Sequence, residues 1–155
     1  MEVGDRFPDF VLQDENGEVF DSKQLEGVRY VIYFYPKDNT GGCTREAQAF
    51  TEMLPQFMMR NIPVIGVSKD SVASHRKFID SKELRIKLLS DPEHKLLEAS
   101  GAWGTKVMYG KETTGTIRST FIVGKDGKVE AAWKKVKVDG HVEKVLEKAI
   151  SLTKQ

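Results

Sequence analysis

The chain alternates between short, nearly continuous hydrophobic runs and segments in which apolar residues recur at helical spacing. Residues 28–35 and 63–67 form two such runs, and their β-branched and aromatic content predicts strands covered on both faces. Between them, apolar residues at helical spacing begin at about Cys43 and predict a helix with one buried face. Pro55 lies inside this segment and predicts a kink or a break in the helix.

The second half of the chain carries the same alternation in shorter pieces. Ser71 or a neighbouring residue is expected to cap a helix that runs to about Lys82. Residues 88–90 form a short apolar piece, residues 94–100 predict another helix, and residues 140–152 predict a closing helix. Strands and helices are therefore expected to follow one another in turn.

Turn-forming residues predict two hairpins and one long loop. Asn16 and Gly17 sit between two short apolar pieces within residues 10–20, which is typical of a hairpin. A second hairpin is predicted within residues 119–133, around the sequence Lys-Asp-Gly-Lys. Residues 101–116 are interrupted by glycines and are expected to form an irregular loop.

This order of elements predicts an α/β sandwich with a mixed central sheet and an N-terminal β-hairpin, the thioredoxin-like order. The sequence shows no repeat, low-complexity segment or linker, so a single domain over residues 1–155 is expected.

Two groups of side chains are expected to have structural rather than functional roles. Core filling is expected of three methionines: Met53, Met58 and Met59. An exposed strand edge is expected of three lysines: Lys134, Lys135 and Lys137.

Composition and charge narrow the possible functions. Hydrophobic residues make up 39% and charged residues 30% of 155, an ordinary globular balance. The net charge of +1 gives no electrostatic reason to expect binding to nucleic acid or to a membrane. No apolar run approaches the roughly 20 residues that span a bilayer, and the N-terminus lacks the layout of a signal peptide. With a single cysteine and therefore no disulfide framework, a cytoplasmic location is expected.

The single cysteine, Cys43, is the strongest candidate for chemistry. A strand that runs through a polar loop into a helix places Cys43 in the first helical turn, where free N–H groups and the helix dipole favour a thiolate. Gly41 and Gly42 leave the nearby amides uncovered. The Thr40 hydroxyl can lie beside the sulfur, and Pro36 can shield one side of the pocket. A buried, inert cysteine is the alternative.

Two charged residues bear on the state of this sulfur. Glu46 is expected in the first helical turn, where its carboxylate suits the dipole but disfavours a nearby thiolate. A cation is therefore needed, and Arg118, at the start of the apolar run 119–123, is the candidate.

The segment YPKDNTGGCTREAQAF, followed by IRSTFIVGKDGKV, resembles the peroxiredoxins, specifically the bacterioferritin-comigratory or Q-type subgroup. The resemblance extends from GDRFPDFVLQDENG through VIGVSKDS and LLSDPEH, over nearly the whole chain. It implies a thioredoxin-like fold and reduction of hydrogen peroxide and organic hydroperoxides without metal or organic cofactor. It also implies that Cys43 is the peroxidatic cysteine and becomes a sulfenic acid, that Pro36, Thr40 and Arg118 complete the site, and that Glu46 helps to hold the arginine side.

Two positions depart from that pattern. Gly41 stands where many relatives have proline, and Gln48 stands where many have a resolving cysteine. Because no second cysteine exists, an internal disulfide is impossible. The resemblance is therefore to the one-cysteine members, whose oxidised form is resolved by an external thiol: thioredoxin, glutaredoxin or a small thiol. A monomer or weak homodimer is expected.

Other interpretations remain open from the residues alone. A thioredoxin-like binding scaffold with an incidental Cys43 is one alternative. A dithiol thiol-transfer enzyme is disfavoured, because Thr40 occupies the first position of the Cys-x-x-Cys motif that it needs. His75, His94 and His141 lack metal-ligand spacing, and all three are expected at the surface.

Overall fold

The computed structural model describes residues 1–154, apart from the side chain of Met108; Gln155, which the predicted domain includes, lies outside the described residues. The nine strands are β1 Val11–Asp14, β2 Val19–Asp21, β3 Tyr30–Phe34, β4 Val64–Ser68, β5 Lys87–Ser90, β6 Trp103–Met108, β7 Lys111–Thr116, β8 Ser119–Val123 and β9 Val129–Lys134. The four α-helices are α1 Gly41–Met58, α2 Val72–Lys82, α3 Lys95–Ala99 and α4 His141–Thr153. One 3-10 turn covers Ser22–Leu25.

Seven strands form one mixed sheet in the order β2-β1-β5-β4-β3-β8-β9. The pairs β3–β4 and β4–β5 are parallel, and the other pairs are antiparallel. Helices follow β3 and β4 as crossover connections between parallel strands, as parallel pairing requires. The predicted mixed α/β architecture with an N-terminal hairpin is confirmed.

Strand β3, which lies between β4 and β8, faces two hydrophobic cores, one on each side of the sheet. Val31 and Tyr33 belong to the core under α1, α2 and α4, whereas Ile32 and Phe34 belong to the core that includes α3. All five β3 residues are buried, which explains their continuous apolar character. Packing on both faces of the sheet thus fixes the carboxyl end of β3, where the loop toward Cys43 begins.

The segment 101–116 is a hairpin, so the irregular loop predicted there is wrong. Strands β6 and β7 pair in register from Trp103 with Thr116 to Met108 with Lys111. Tyr109 and Gly110 form the turn with φ values of 53° and 77°, the left-handed geometry of a two-residue hairpin. The misleading signal was the glycines, two of which face each other across the ladder rather than interrupting it.

Helix α1 continues through Pro55 to Met58, so a break at Pro55 is excluded. The methionine prediction holds only in part: Met53 packs against the core, but Met58 and Met59 are 48% and 73% exposed. The reason is their place at the end of α1, beyond the helical face that the core covers.

The histidine prediction is wrong for two of the three residues. His75 is fully buried and His141 is 4% exposed, whereas His94 is more open and stacks on Trp103. Each buried ring finds hydrogen-bond partners from a distant part of the chain, which the sequence pattern does not reveal. The three lysines predicted at an exposed edge are exposed, at the end of edge strand β9 and just beyond it.

Candidate active site

Cys43 is the third residue of α1, directly after the loop that leaves β3. Thr40 is the N-cap residue, with extended backbone, and its carbonyl accepts the first helical bond from Thr44 at 2.8 Å. Helix α1 begins at Gly41, two residues earlier than predicted. Cys43 therefore lies in the first turn, as expected, where backbone N–H groups have no intrahelical partner. The residue is only 1% exposed.

Arg118 reaches the sulfur from the start of β8, the strand next to β3 in the sheet. It immediately precedes β8, and Ser119 pairs with Phe34 at the end of β3. This register brings Arg118 beside the start of α1, and its Nη2 donates to the Cys43 Sγ at 3.3 Å. The structure therefore brings together two residues 75 positions apart in sequence.

The same guanidinium also binds Glu46. Its Nη1 donates to the Glu46 Oε1 at 2.6 Å, and Glu46 is fully buried. Burial lowers the pKa of Arg118, but the neighbouring Glu46 and Cys43 outweigh this effect and raise it above its ordinary value. Arg118 thus remains cationic while it is shared between a carboxylate and a sulfur.

The carboxyl group of Glu46 is buried and ionises less readily than an exposed carboxyl group. Burial raises its pKa to about 7, against the opposing effect of Arg118. Its second oxygen, Oε2, has no hydrogen-bond partner among the described residues. The expectation that Glu46 lies in the first helical turn is wrong, because α1 begins at Gly41 and Glu46 falls in the second turn. One turn after Cys43, it shares the helix face that meets Arg118.

The raised pKa of Glu46 predicts that the free energy of unfolding depends on pH. Because the folded-state pKa of Glu46, about 7, exceeds the ordinary value of 4.5, the folded state binds more protons between these values. Stability relative to Glu46→Gln is expected to be highest below pH 4.5 and to fall as pH rises toward 7, by about 3 kcal/mol at most. Urea unfolding of both proteins across this range measures it. A constant difference would contradict the shift.

Gly42 allows the close approach of Arg118. A Cβ atom at position 42 would lie 3.4 Å from the Arg118 Nη2 and 3.8 Å from Val138 Cγ2. Gly41, by contrast, faces open space. A methyl group at position 42 would therefore touch, at van der Waals distance, the guanidinium that contacts the sulfur.

Thr40 and Pro36 belong to the loop before Cys43, and neither forms a hydrogen bond with the sulfur among the described residues. The exposed Thr40 hydroxyl donates to the Lys37 carbonyl at 3.0 Å, and Pro36 is half-buried at the end of β3. Gln48 is exposed on α1. The structure thus gathers Cys43, Gly42, Glu46 and Arg118, with Thr40 and Pro36 at the rim.

Sequence reasoning missed two features next to Arg118. One is the buried His141, whose Nε2 bonds to the Thr120 hydroxyl at 2.8 Å; burial, then Arg118, lowers its pKa to about 4. The other is a cavity of about 530 Å³ between the β6–β7 hairpin and the segment after β9, lined by Arg118, Lys106 and Lys135 among others. The cavity could not be foreseen while residues 101–116 were assigned to a loop.

Across residues 1–154, no three His, Cys, Asp or Glu side chains lie close enough together to hold a metal ion. Among the helices of this described part, none is long and apolar enough to cross a membrane.

In sequence and in fold the chain is similar to a known family of proteins. A model of the AhpC/TSA family matches residues 3–132. The putative peroxiredoxin bcp of Helicobacter pylori is 44% identical over 147 residues, 95% of this chain and 97% of that protein. A mutant of PrxQ from Xylella fastidiosa superimposes with a TM-score of 0.94 at 35% identity, covering 99% of this chain and 98% of that one.

A second solved structure is the bacterioferritin comigratory protein of Xanthomonas campestris, described for its alkyl peroxide reduction activity. It has a TM-score of 0.89 and 39% identity and covers 94% of this chain and 92% of that one. The expected thioredoxin-like fold is confirmed by these neighbours. The chain therefore belongs to the AhpC/TSA family, among the peroxiredoxins of the Bcp or PrxQ type.

Proposed function

We propose that this protein is a thiol-dependent peroxidase that reduces hydrogen peroxide and organic hydroperoxides through Cys43. The observation that carries the proposal is the 3.3 Å contact between the Arg118 guanidinium and the Cys43 sulfur at the start of α1. A cation in contact with a sulfur favours the thiolate, which is the nucleophilic form. The named peroxiredoxin relatives support the same activity.

The first half-reaction is a nucleophilic displacement at oxygen. The Cys43 thiolate attacks one peroxide oxygen, the O–O bond breaks, and the sulfur becomes a sulfenic acid. The other oxygen leaves with the electron pair, takes up a proton and departs as water or alcohol. Arg118 and the amides of Gly42 and Cys43 would stabilise the charge that develops on the leaving oxygen.

Thr40 and Pro36 are proposed to complete this pocket. The Thr40 hydroxyl is exposed at the helix N-cap and bonded only to the Lys37 carbonyl, so rotation would bring it to a bound peroxide. Pro36 fixes the backbone at the end of β3 and would shield the sulfur from one side. The cavity lined by Arg118 offers space for the organic part of a hydroperoxide. The alkyl peroxide reduction ascribed to the Xanthomonas campestris relative supports organic substrates.

The second half-reaction needs a thiol from outside the chain. A first thiol attacks the Cys43 sulfenic acid and releases water, giving a mixed disulfide, and a second thiol releases Cys43 as its thiolate. Together these two thiols supply the two electrons that the peroxide removed. Thioredoxin, glutaredoxin or a small thiol is proposed as the reductant. Regeneration thus requires a reducing compartment such as the cytoplasm.

Stoichiometry of peroxide consumption tests this proposal. Without thiol, each chain is expected to consume one equivalent of hydrogen peroxide in a fast phase, followed only by slow further oxidation of the sulfenic acid, because no second cysteine resolves it. Adding thioredoxin with its reductase, glutaredoxin with glutathione, or a small thiol alone identifies the reductant by sustained turnover. An organic hydroperoxide is tested in parallel. Absence of the first equivalent would overturn the peroxidase function, and continued turnover without thiol would overturn the external-thiol step.

A further inference from the structure

A buried ion pair between Asp38 and His75 connects the loop between β3 and α1 to helix α2. Asp38, five residues before Cys43, is 6% exposed, and His75 of α2 is fully buried. The His75 Nδ1 lies 2.7 Å from the Asp38 Oδ2. Neither side chain contacts the sulfur, so any effect on the reaction passes through the loop.

Both ring nitrogens of His75 face hydrogen-bond acceptors. Nδ1 faces the Asp38 carboxylate, and Nε2 lies 2.9 Å from the Leu89 carbonyl. A neutral imidazole has one N–H only, whereas the imidazolium has two, so the charged ring satisfies both acceptors. Burial lowers the pKa of His75, but the bonds to Asp38 and to the Leu89 carbonyl outweigh it and leave the pKa raised.

Asp38 forms hydrogen bonds through both its carboxylate and its backbone N–H. Its Oδ1 accepts from the Tyr35 hydroxyl at 2.6 Å, and its Oδ2 also accepts from the Ser74 hydroxyl at 2.8 Å. Its backbone N–H donates to the Asp70 carboxylate at 2.8 Å. Three elements, β3, α2 and the segment after β4, thereby hold one loop residue.

The charged and titratable groups that face His75 are few. Asp38 comes from the active-site loop, Asp70 from the segment before α2, and Tyr35 from the end of β3. Strand β5 contributes only the Leu89 carbonyl. Tyr35 stays neutral, because burial raises its pKa well above the ordinary value. His75 is thus the group in this network whose raised pKa keeps it charged to a higher pH than a free imidazole.

The loop that this network holds leads directly into the active site. Asn39 follows Asp38 with a left-handed φ of 60°, and Thr40 then caps α1. Such a backbone persists where its flanks are fixed. A shift at Asp38 would move the start of α1, and with it Gly42 and Cys43 relative to Arg118.

We propose that His75 is a positioning residue for peroxide reduction: as an imidazolium it holds Asp38, and through Asp38 the loop that aligns the first turn of α1 with Arg118. The inference rests on the proposed peroxidase function and adds a residue outside the pocket to it. Deprotonation of His75 removes one donor from the pair and loosens the loop. Alignment is therefore retained at lower pH and lost as pH rises through the raised pKa of His75.

The test compares two reactions of Cys43 in the same protein. Oxidation by hydrogen peroxide needs an aligned pocket, whereas alkylation by iodoacetamide needs only the thiolate. In wild type, the ratio of the oxidation rate to the alkylation rate is expected to fall as pH rises. In His75→Gln, which keeps one donor but no charge, the ratio should be about 10- to 100-fold lower than in wild type. It should also be independent of pH when Glu46→Gln is added to remove the titration of that carboxyl group. His94→Gln, the same change at a more open site, should match wild type.

Glu46, whose pKa is raised to about 7, also changes charge in this range, so the same profile is measured in Glu46→Gln, where the fall of the ratio with rising pH should persist. This comparison applies even where His75→Gln does not fold. A ratio that stays constant with pH, or a folded His75→Gln with the wild-type ratio, would overturn the inference. Failure of the proposed function looks different, since wild-type Cys43 would then resist peroxide at every pH.

Discussion

Replacing Cys43 with serine is expected to abolish peroxide turnover, with a loss of more than about 10⁴-fold relative to wild type. A serine hydroxyl stays neutral beside Arg118, so the nucleophile is lost. The fold should survive, because the change is nearly isosteric and the new hydroxyl sits against the Arg118 guanidinium. Hydrogen peroxide consumption in the presence of an active reductant measures the loss.

Thermal unfolding of Cys43→Ser supplies the control. A melting transition within a few degrees of wild type would assign the loss to chemistry rather than to unfolding. Retained turnover in the folded variant would remove Cys43 from the mechanism.

Replacing Arg118 with methionine is expected to slow oxidation of Cys43 by roughly 10²- to 10³-fold. Methionine keeps the length of the side chain but has no charge and no donor for the sulfur or the leaving oxygen. A lower rate in Arg118→Met alone could also reflect lost stability, because this variant leaves the buried Glu46 carboxylate without its ion-pair partner. An unpaired buried charge destabilises a protein by roughly 3–5 kcal/mol unless the group is protonated.

A matched pair of variants separates the two effects. Arg118→Met is made in a Glu46→Gln background and compared with Glu46→Gln alone, so that no carboxylate is left unpaired. Oxidation rates from rapid mixing with hydrogen peroxide should differ between the two by the full 10²- to 10³-fold given above, with similar stability. Equal rates in two folded proteins would show that the 3.3 Å contact has no part in the reaction.

Local patterns were sufficient to predict most of the main sheet. The continuous apolar run before Cys43 corresponds to β3, whose residues are buried on both faces of the sheet. Ser71 accepts a bond from the Ser74 amide, as the predicted cap requires. The β6–β7 hairpin was missed because Gly104 and Gly115 pair with each other there, and glycine is a weak strand signal.

The candidate site was predictable to a lesser degree from local pattern. The place of Cys43 in the first turn of α1 follows from the strand-loop-helix order. Its contact with Arg118 depends on the pairing of β8 with β3, which no local pattern reports, and was anticipated only from the need for a cation near the sulfur and from the resemblance. The Asp38–His75 pair is likewise a product of packing between a loop and α2.

The most direct test of the account is the intact mass of the wild-type protein after one equivalent of hydrogen peroxide, followed by peptide mapping. The account predicts a gain of one oxygen atom, located on Cys43; in separate samples this sulfenic acid is trapped by dimedone or reduced by excess thiol. A protein that gains no oxygen, or that gains it on the exposed Met58 or Met59 while Cys43 stays reduced, would contradict it.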